Sequence, residues 1–390
     1  TRLDLLAERF PVELVSHEPR GKRWGWIPTG RALRLDRRPS PPGVDSRAWA
    51  QEQALAILHQ PAPLAETLPL SFHWLGHAAC GALLVRCLHP LLDARGAGLL
   101  LDFIASPDPA RFQESPSLVL QKLAEWSLWK KLRYGYKAQR HNTRANALDS
   151  SLPTGAEDGP QTLRLLLRRY SPEQTARIAQ LAQQHTGLAG RSLYTLGCFM
   201  RALEQTGPPV PKAGYCIPYA FNLRRKNAPT PVFGNHVSCL FAQATREQVR
   251  DRDGLMAHLL AQYRQTVQEE LDFAYLPLMW LGQWLNPDRY ATLLRKQRSG
   301  GELSSCWFSD IGEVRFPHGL LGAAVTGMFH LSWVTLPPGL ALLSGQINGQ
   351  LTLSCNYLHP AVDSVWLEAV MARMDAELLT VGAGFSPQPN

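Results

Sequence analysis

The chain is sparing with charge, and most of all with lysine. Only 18% of its 390 residues are Asp, Glu, Lys or Arg, and the 40 basic residues divide into 32 arginines and 8 lysines. No run approaches the roughly 20 uncharged apolar residues of a membrane helix, so no membrane span is expected. No two of the seven cysteines are spaced as CxxC, which argues against a structural zinc site. An odd number of cysteines among apolar neighbours, as in Gly197-Cys198-Phe199-Met200, predicts reduced core residues of a cytoplasmic protein. Thr1–Glu8 lacks the apolar core of a signal peptide and reads as a short amphipathic helix. No zinc-finger, RNP or recognition-helix pattern accompanies the net charge of +8, so nucleic acid is not the expected partner. A mildly basic surface accounts for that charge; its functional reading is an acidic partner, such as a cofactor phosphate or an acidic carrier protein.

What is present is a soluble α/β pattern with 45% hydrophobic residues, long enough for two domains. Ser46–His59 reads as an amphipathic helix, and Leu70–Leu75 and Gly81–Leu88 as strands. Leu118, Leu123, Trp126, Trp129 and Leu132 recur at helical spacing, which predicts a helix over about 116–140. Asn142–Pro160, rich in Ser, Gly, Pro, Asn and Asp, reads as a linker. The expected organisation is a first half over 1–148, a linker over 149–160 and a second half over 161–390. In the second half, Thr162–Arg169 reads as a strand. Ser171-Pro172-Glu173-Gln174 carries the N-cap, first-turn proline and capping-box glutamine of a helix start. Strand runs follow at 325–335, 340–345 and 350–355, then a last helix over about 363–379. Strands and helices on both sides of the linker predict two α/β layers of similar size.

The segment with chemical content is His89-Pro-Leu-Leu-Asp93-Ala94-Arg95-Gly96-Ala97-Gly98. It follows a buried strand and leads into the apolar helix Leu99–Ile104. A histidine at a strand end can take a proton on one ring nitrogen while the other is held by an acceptor. Such a base suits a hydroxyl or amine attacking an activated acyl group. Asp93, past a tight bend, can point backwards and pair with an arginine, locking the loop. Elsewhere, His73-x-x-x-His77 lacks the intervening Glu of a metal-binding helix and sits in a strand-like run, so a structural role is expected. Lys130–Arg140 interleaves aromatics with positive charge. It reads as a solvated helix end, or as a dock for the phosphates of coenzyme A, an acidic carrier protein or nucleic acid.

The strand, His89-Pro-Leu-Leu-Asp93, the small residues and the apolar helix resemble the chloramphenicol-acetyltransferase-like superfamily. That group contains condensation domains, wax ester synthases and BAHD acyltransferases. Further matches follow in order: Ala54–Pro61 ahead of Leu68–Leu75, Ser171–Gln174 through Thr186-Gly187 and Leu203, Asn222-Leu-Arg224-Arg225 before Gly234-Asn235, and Gln346–Tyr357 before Asp363. The resemblance implies two pseudo-symmetric α/β domains in a V, mixed sheets flanked by helices, and a central tunnel. It implies an acyltransferase or condensation-type enzyme with His89 as general base and Asp93 and Gly96 structural. The acyl group would pass from acyl-CoA or an acyl or peptidyl carrier protein to an alcohol or amine. The phosphopantetheine thioester is then a co-substrate, no cofactor or metal is tightly bound, and the chain is expected to act as a monomer. Asn222, Arg224 and Arg225 are expected to order the interdomain face. Asn222 and Arg224, with Asn235, Ser309, Thr326 and Ser332, are candidate oxyanion or tunnel contacts. Two residues depart from the pattern: Leu88 stands where a second histidine is common, and Ala94 where glycine is usual. They leave open a non-catalytic member that binds a carrier protein or acyl ligand.

Overall fold

The computed structural model describes residues 15–380 apart from 21–22, 29–31, 61–67, 78–79, 107, 109–117, 154, 156–158, 188–189, 225–233, 283, 286–288, 290–291, 293–303, 317–318 and 321. The expected helix at Thr1–Glu8 and the residue Arg225 lie outside the described residues.

A short antiparallel pair, β1 (Val15–Arg20) and β2 (Arg23–Pro28), comes first. A mixed three-stranded sheet follows: β3 (Leu35–Arg38) runs parallel to β4 (Leu70–Gly76), and β4 antiparallel to β5 (Gly81–Cys87). The alternation of strand side chains decides what covers each face. Leu70 and Phe72 of β4 join Leu91, Leu92, Leu100, Phe103 and Ile104 in a core beneath α2 (Ala94–Ala105). Leu75, on the opposite face, packs with Ala50, Ala54 and Ile57 of α1 (Ser46–His59). The sheet is therefore sandwiched between α1 and α2.

The expected helix over 116–140 is two helices, α3 (Leu118–Glu125) and α4 (Leu128–Ala147). Ser127 breaks the run because its side chain caps α4, accepting from the Lys130 amide. The same helix continues through Asn142, so its end is later than the polar composition predicts. Leu123, Trp126, Tyr134 and Ala138 pack into the large core of the second half. The segment after α4 is tied to that half too: Ala213 donates to the Asp149 carbonyl and the buried Ser305 hydroxyl to the Ser150 carbonyl.

The second sheet has six strands: β6 (Thr162–Arg169), β7 (Gly214–Asn222), β8 (Val237–Thr245), β9 (Trp307–Val314), β10 (Leu340–Ile347) and β11 (Gln350–His359). Their order is β6-β11-β10-β9-β7-β8, with β9 parallel to both β10 and β7 and the other pairs antiparallel. Asn348-Gly349 joins β10 to β11, both at positive φ, as a tight hairpin turn requires. The main core lies between this sheet and α5 (Pro172–Thr186), α6 (Gly190–Thr206), α8 (Arg252–Gln268) and α11 (Ser364–Leu379). A short helix, α7 (Arg246–Arg250), links β8 to α8. Helix α5 starts at the Ser171–Gln174 capping box. Two shorter helices, α9 (Leu271–Ala274) and α10 (Leu276–Gly282), lead from α8 towards α4. Among the described residues the second sheet is twice the width of the first, so the two layers are unequal.

The expected strand over 325–335 does not form. The segment is extended, but its backbone bonds to side chains rather than to a neighbouring ladder. The His330 amide donates to Ser354 Oγ at 3.1 Å and the Ser332 amide to Asn356 Oδ1 at 3.2 Å. The segment serves as mortar between the halves: Phe329 and Leu331 pack with Ile57 and Leu75, while Val334 packs with Leu163, Leu55 and Leu58. None of the seven cysteines forms a disulfide. Burial pushes the thiols of Cys198, Cys216 and Cys355 up to about 12, which leaves them protonated and inert.

Candidate active site at the junction of the two halves

The turn after β5 is anchored by its own leucines. Leu91 and Leu92 are buried in the first core, and their amides bond back to the Leu88 carbonyl at 2.9 and 3.3 Å. With those side chains pulled inward, His89 and Pro90 stand exposed at the tip.

Asp93 closes the turn and opens α2. Its buried carboxylate caps the helix by accepting from the Gly96 amide at 2.6 Å. It also accepts from the His236 amide at 2.7 Å and from Arg224 Nη1 at 2.8 and 3.0 Å. Arg224 is itself buried at this pair. Its Nη2 donates to the Gly234 carbonyl at 2.7 Å, and Asn222 Oδ1 accepts from its amide at 3.1 Å and from Nη1 at 3.2 Å. Asp93 from the first half thus gathers the end of β7 and the residues before β8 from the second half. A buried carboxylate is tolerable here because each oxygen receives charge-assisted or backbone donors.

Asn235 carries the same clamp to His89. Its Nδ2 donates to the His89 carbonyl at 2.8 Å and lies 3.2 Å from Nδ1 of the ring. Turning the amide over would set Oδ1 against the carbonyl oxygen, so the orientation is fixed by chemistry. Nδ1 then accepts, and the neutral ring carries its proton on Nε2. Asn235 is a positioning residue: it holds the backbone of a histidine from the other half and, in this arrangement, its ring.

No protein-family model matches the sequence. No curated protein matches it by sequence either. Solved structures do. The epimerization domain from the third module of tyrocidine synthetase B is 12% identical with a TM-score of 0.65, covering 97% of this chain and 86% of its own. The condensation domain of the monacolin K polyketide synthase is 14% identical with a TM-score of 0.62, covering 97% and 87%. A trichothecene 15-O-acetyltransferase from Fusarium sporotrichioides is 13% identical with a TM-score of 0.65, covering 96% and 85%. The chain shares the fold of these epimerization, condensation and acetyltransferase domains.

Within this fold the departure at Ala94 is local and mild. Ala94 is the first residue of α2, a position where alanine is a good helix former. The demanding glycine is Gly96. A Cβ there would lie 2.7 Å from the Gly234 carbonyl oxygen and 3.2 Å from Arg224 Nη2, whereas one on Gly98 would meet only Val314 Cγ2 at 3.7 Å. The Gly96→Ala variant is therefore expected to lose roughly 1–3 kcal/mol of stability by overpacking, while Gly98→Ala keeps the wild-type melting temperature. Thermal denaturation of the pair checks this.

The remaining sequence candidates lie apart from this cluster. Ser332 Oγ donates to the neighbouring Trp333 carbonyl at 3.0 Å. Ser309 shares a strand face with Trp307, which packs near Leu55 and Leu58 of α1. Thr326 is exposed. Among the described residues none of the three bonds to His89 or Asp93. His73 bonds to Asp36 and Ser71 at 3.0 Å, a structural pairing, and no cluster of metal-ligating side chains occurs among the described residues. Sequence reading singled out Gly234-Asn235 but gave no role to Gly234 or His236, which act through backbone atoms and leave no side-chain signal. It also missed Asp310, held by Arg191 at 3.1 Å and Ser192 at 2.8 Å. Burial opposes the ionisation of Asp310, but Arg191 and Ser192 hold its carboxyl below the usual range.

Asn235→Ala removes the donor to the His89 carbonyl and ring, so the chemical shifts of the His89 ring are expected to move. An NMR spectrum of the variant checks this; an unmoved ring shows that residue 235 does not address it.

Proposed function

We propose that this protein is an acyltransferase or condensation-type enzyme, moving an acyl group from a thioester to an alcohol or amine, with His89 as general base. One observation carries the reading: a solvent-facing histidine at the junction of the halves is held through backbone and ring by Asn235, beside a buried Asp93–Arg224 clamp. An imidazole so placed has no structural task of its own. The condensation domains and the acetyltransferase with the same fold support the reaction class.

In the proposed cycle the acceptor O–H or N–H bonds to His89 Nε2. Base catalysis at that atom needs the tautomer protonated on Nδ1, so in the cycle the ring turns away from the Asn235 amide while that amide keeps the His89 carbonyl. The acceptor's proton passes to Nε2 as its oxygen or nitrogen attacks the thioester carbonyl. The tetrahedral adduct collapses with loss of thiolate, which takes the proton from the imidazolium. The donor is acyl-CoA or an acyl group on the phosphopantetheine of a carrier protein.

The test is mass spectrometry of a thioester library incubated with the protein and mixed nucleophiles. Ester or amide products that vanish with His89→Ala support the reading. Binding of thioesters without turnover across the library overturns it in favour of a non-catalytic binding domain.

A further inference from the structure

The basic, aromatic stretch on α4 takes no part in the site above. This helix of 20 residues carries six basic side chains, Lys130, Lys131, Arg133, Lys137, Arg140 and Arg144, and no Asp or Glu. Four of the chain's eight lysines lie between residues 122 and 137. The buried face of α4 is Tyr134, Ala138 and Ala145. At about 100° per residue, Trp129, Leu132 and Tyr136 fall on the diametrically opposite line. They are 82%, 55% and 69% exposed, and Leu128 beside them is 67% exposed. A surface helix normally turns one apolar stripe inward and a polar face outward; α4 is apolar on both. Met279 and Leu281 of α10, which packs along α4, extend the exposed apolar area.

The cations are arranged around this strip. Lys130, Lys131 and Lys137 fold over the rings of Trp126, Trp280 and Tyr134 at 4.8, 5.1 and 5.0 Å. Arg133, Arg140 and Arg144 form no ion pair among the described residues. Beside Tyr136 a cleft of about 340 Å³ opens, lined by Lys137, Arg140, His141 and Arg144. Its one carboxylate, Glu269, is held by Gln265 Nε2 at 2.8 Å.

We propose that α4 is a membrane-surface helix that binds anionic phospholipid. The Leu128–Trp129–Leu132–Tyr136 strip enters the boundary between headgroups and acyl chains, and Arg133, Arg140 and Arg144 take lipid phosphates. Trp and Tyr on an apolar line, cations at its flank and no carboxylate on the helix are what that interface selects. The strip is a ridge, standing out at Trp129, rather than a groove that would receive a partner helix. A ridge needs a soft, deformable surface to bury it, and a bilayer interface is one. The proposal is independent of the chemistry at His89.

The test is flotation of the full chain with vesicles of phosphatidylcholine alone or mixed with phosphatidylglycerol. Binding is expected only to the anionic vesicles and is expected to weaken about fivefold for each of Arg133, Arg140 and Arg144 changed to Ser. Trp129→Ser with Leu132→Ser is expected to abolish binding at unchanged circular dichroism, since both side chains point to solvent. Brominated acyl chains are expected to quench wild-type fluorescence more than that of Trp129→Phe. Equal binding to neutral vesicles overturns the proposal. So does capture of inorganic phosphate, an acidic carrier protein or RNA with no vesicle binding, and so does vesicle binding untouched by these variants.

Discussion

His89→Ala is expected to abolish most of the proposed transfer rate while leaving the fold intact. The ring is exposed, and its hydrogen-bond partner among the described residues is Asn235. Its removal therefore opens no core cavity, and the melting temperature is expected to stay at the wild-type value. A positioned general base contributes about 10²–10⁴-fold, and the loss is expected in kcat rather than in thioester affinity. Rates of acyl transfer on a responsive donor, with donor binding measured separately, separate the two. An active His89→Ala enzyme would show that the imidazole does not move the proton. Loss of activity with an equal loss of donor binding would place His89 in recognition instead.

Asp93 is expected to behave in the opposite way, with the stability effect first. Its carboxylate accepts from two backbone amides and from Arg224, and both charged side chains are buried. Removing one partner of a buried, hydrogen-bonded pair costs roughly 3–5 kcal/mol, because the other charge stays behind without compensation. Asp93→Ala strands the Arg224 guanidinium and removes the cap of α2. Asp93→Asn fares little better despite its shape: its amide nitrogen must face a donor, either the Gly96 or the His236 amide. Arg224→Met leaves Asp93 its two backbone donors and is expected to cost less than Asp93→Ala. Denaturant unfolding of the three single variants and of the Asp93→Ala/Arg224→Met double variant measures the coupling. Additive losses would show that the pair is not the clamp. Activity is expected to fall with stability in these variants, since the segment that bonds to Asp93, residues 234–236, also holds His89 through Asn235.

The local elements were largely legible in the residues. The Ser171–Gln174 capping box, the strands at 70–76 and 81–87 and the last helix follow from caps, alternation and helical spacing. Reading failed where a local pattern had two outcomes. Ser127 interrupts an unbroken apolar periodicity by capping a new helix, and the apolar run after Val325 finds its hydrogen bonds on the side chains of Ser354 and Asn356. The polar composition of Asn142 was no obstacle to helix, because Asn142 bonds to Tyr275 from α4.

By itself, the sequence determined the mixed α/β character, the turn that exposes His89 and the need for Asp93 to face inward. These follow from side-chain chemistry within a few residues of each other: two leucines that must be buried, and a carboxylate that caps the helix it precedes. Only the tertiary structure decided which residues answer that turn. Arg224, Gly234, Asn235 and His236 reach it from more than a hundred residues away, and two of the four do so through backbone atoms, whose hydrogen bonds leave no trace in side-chain identity. The same limit applies to α4. Its spacing showed a helix, but which stripe is buried was settled by Tyr134, Ala138 and Ala145 meeting the second core, which left Trp129, Leu132 and Tyr136 facing outward.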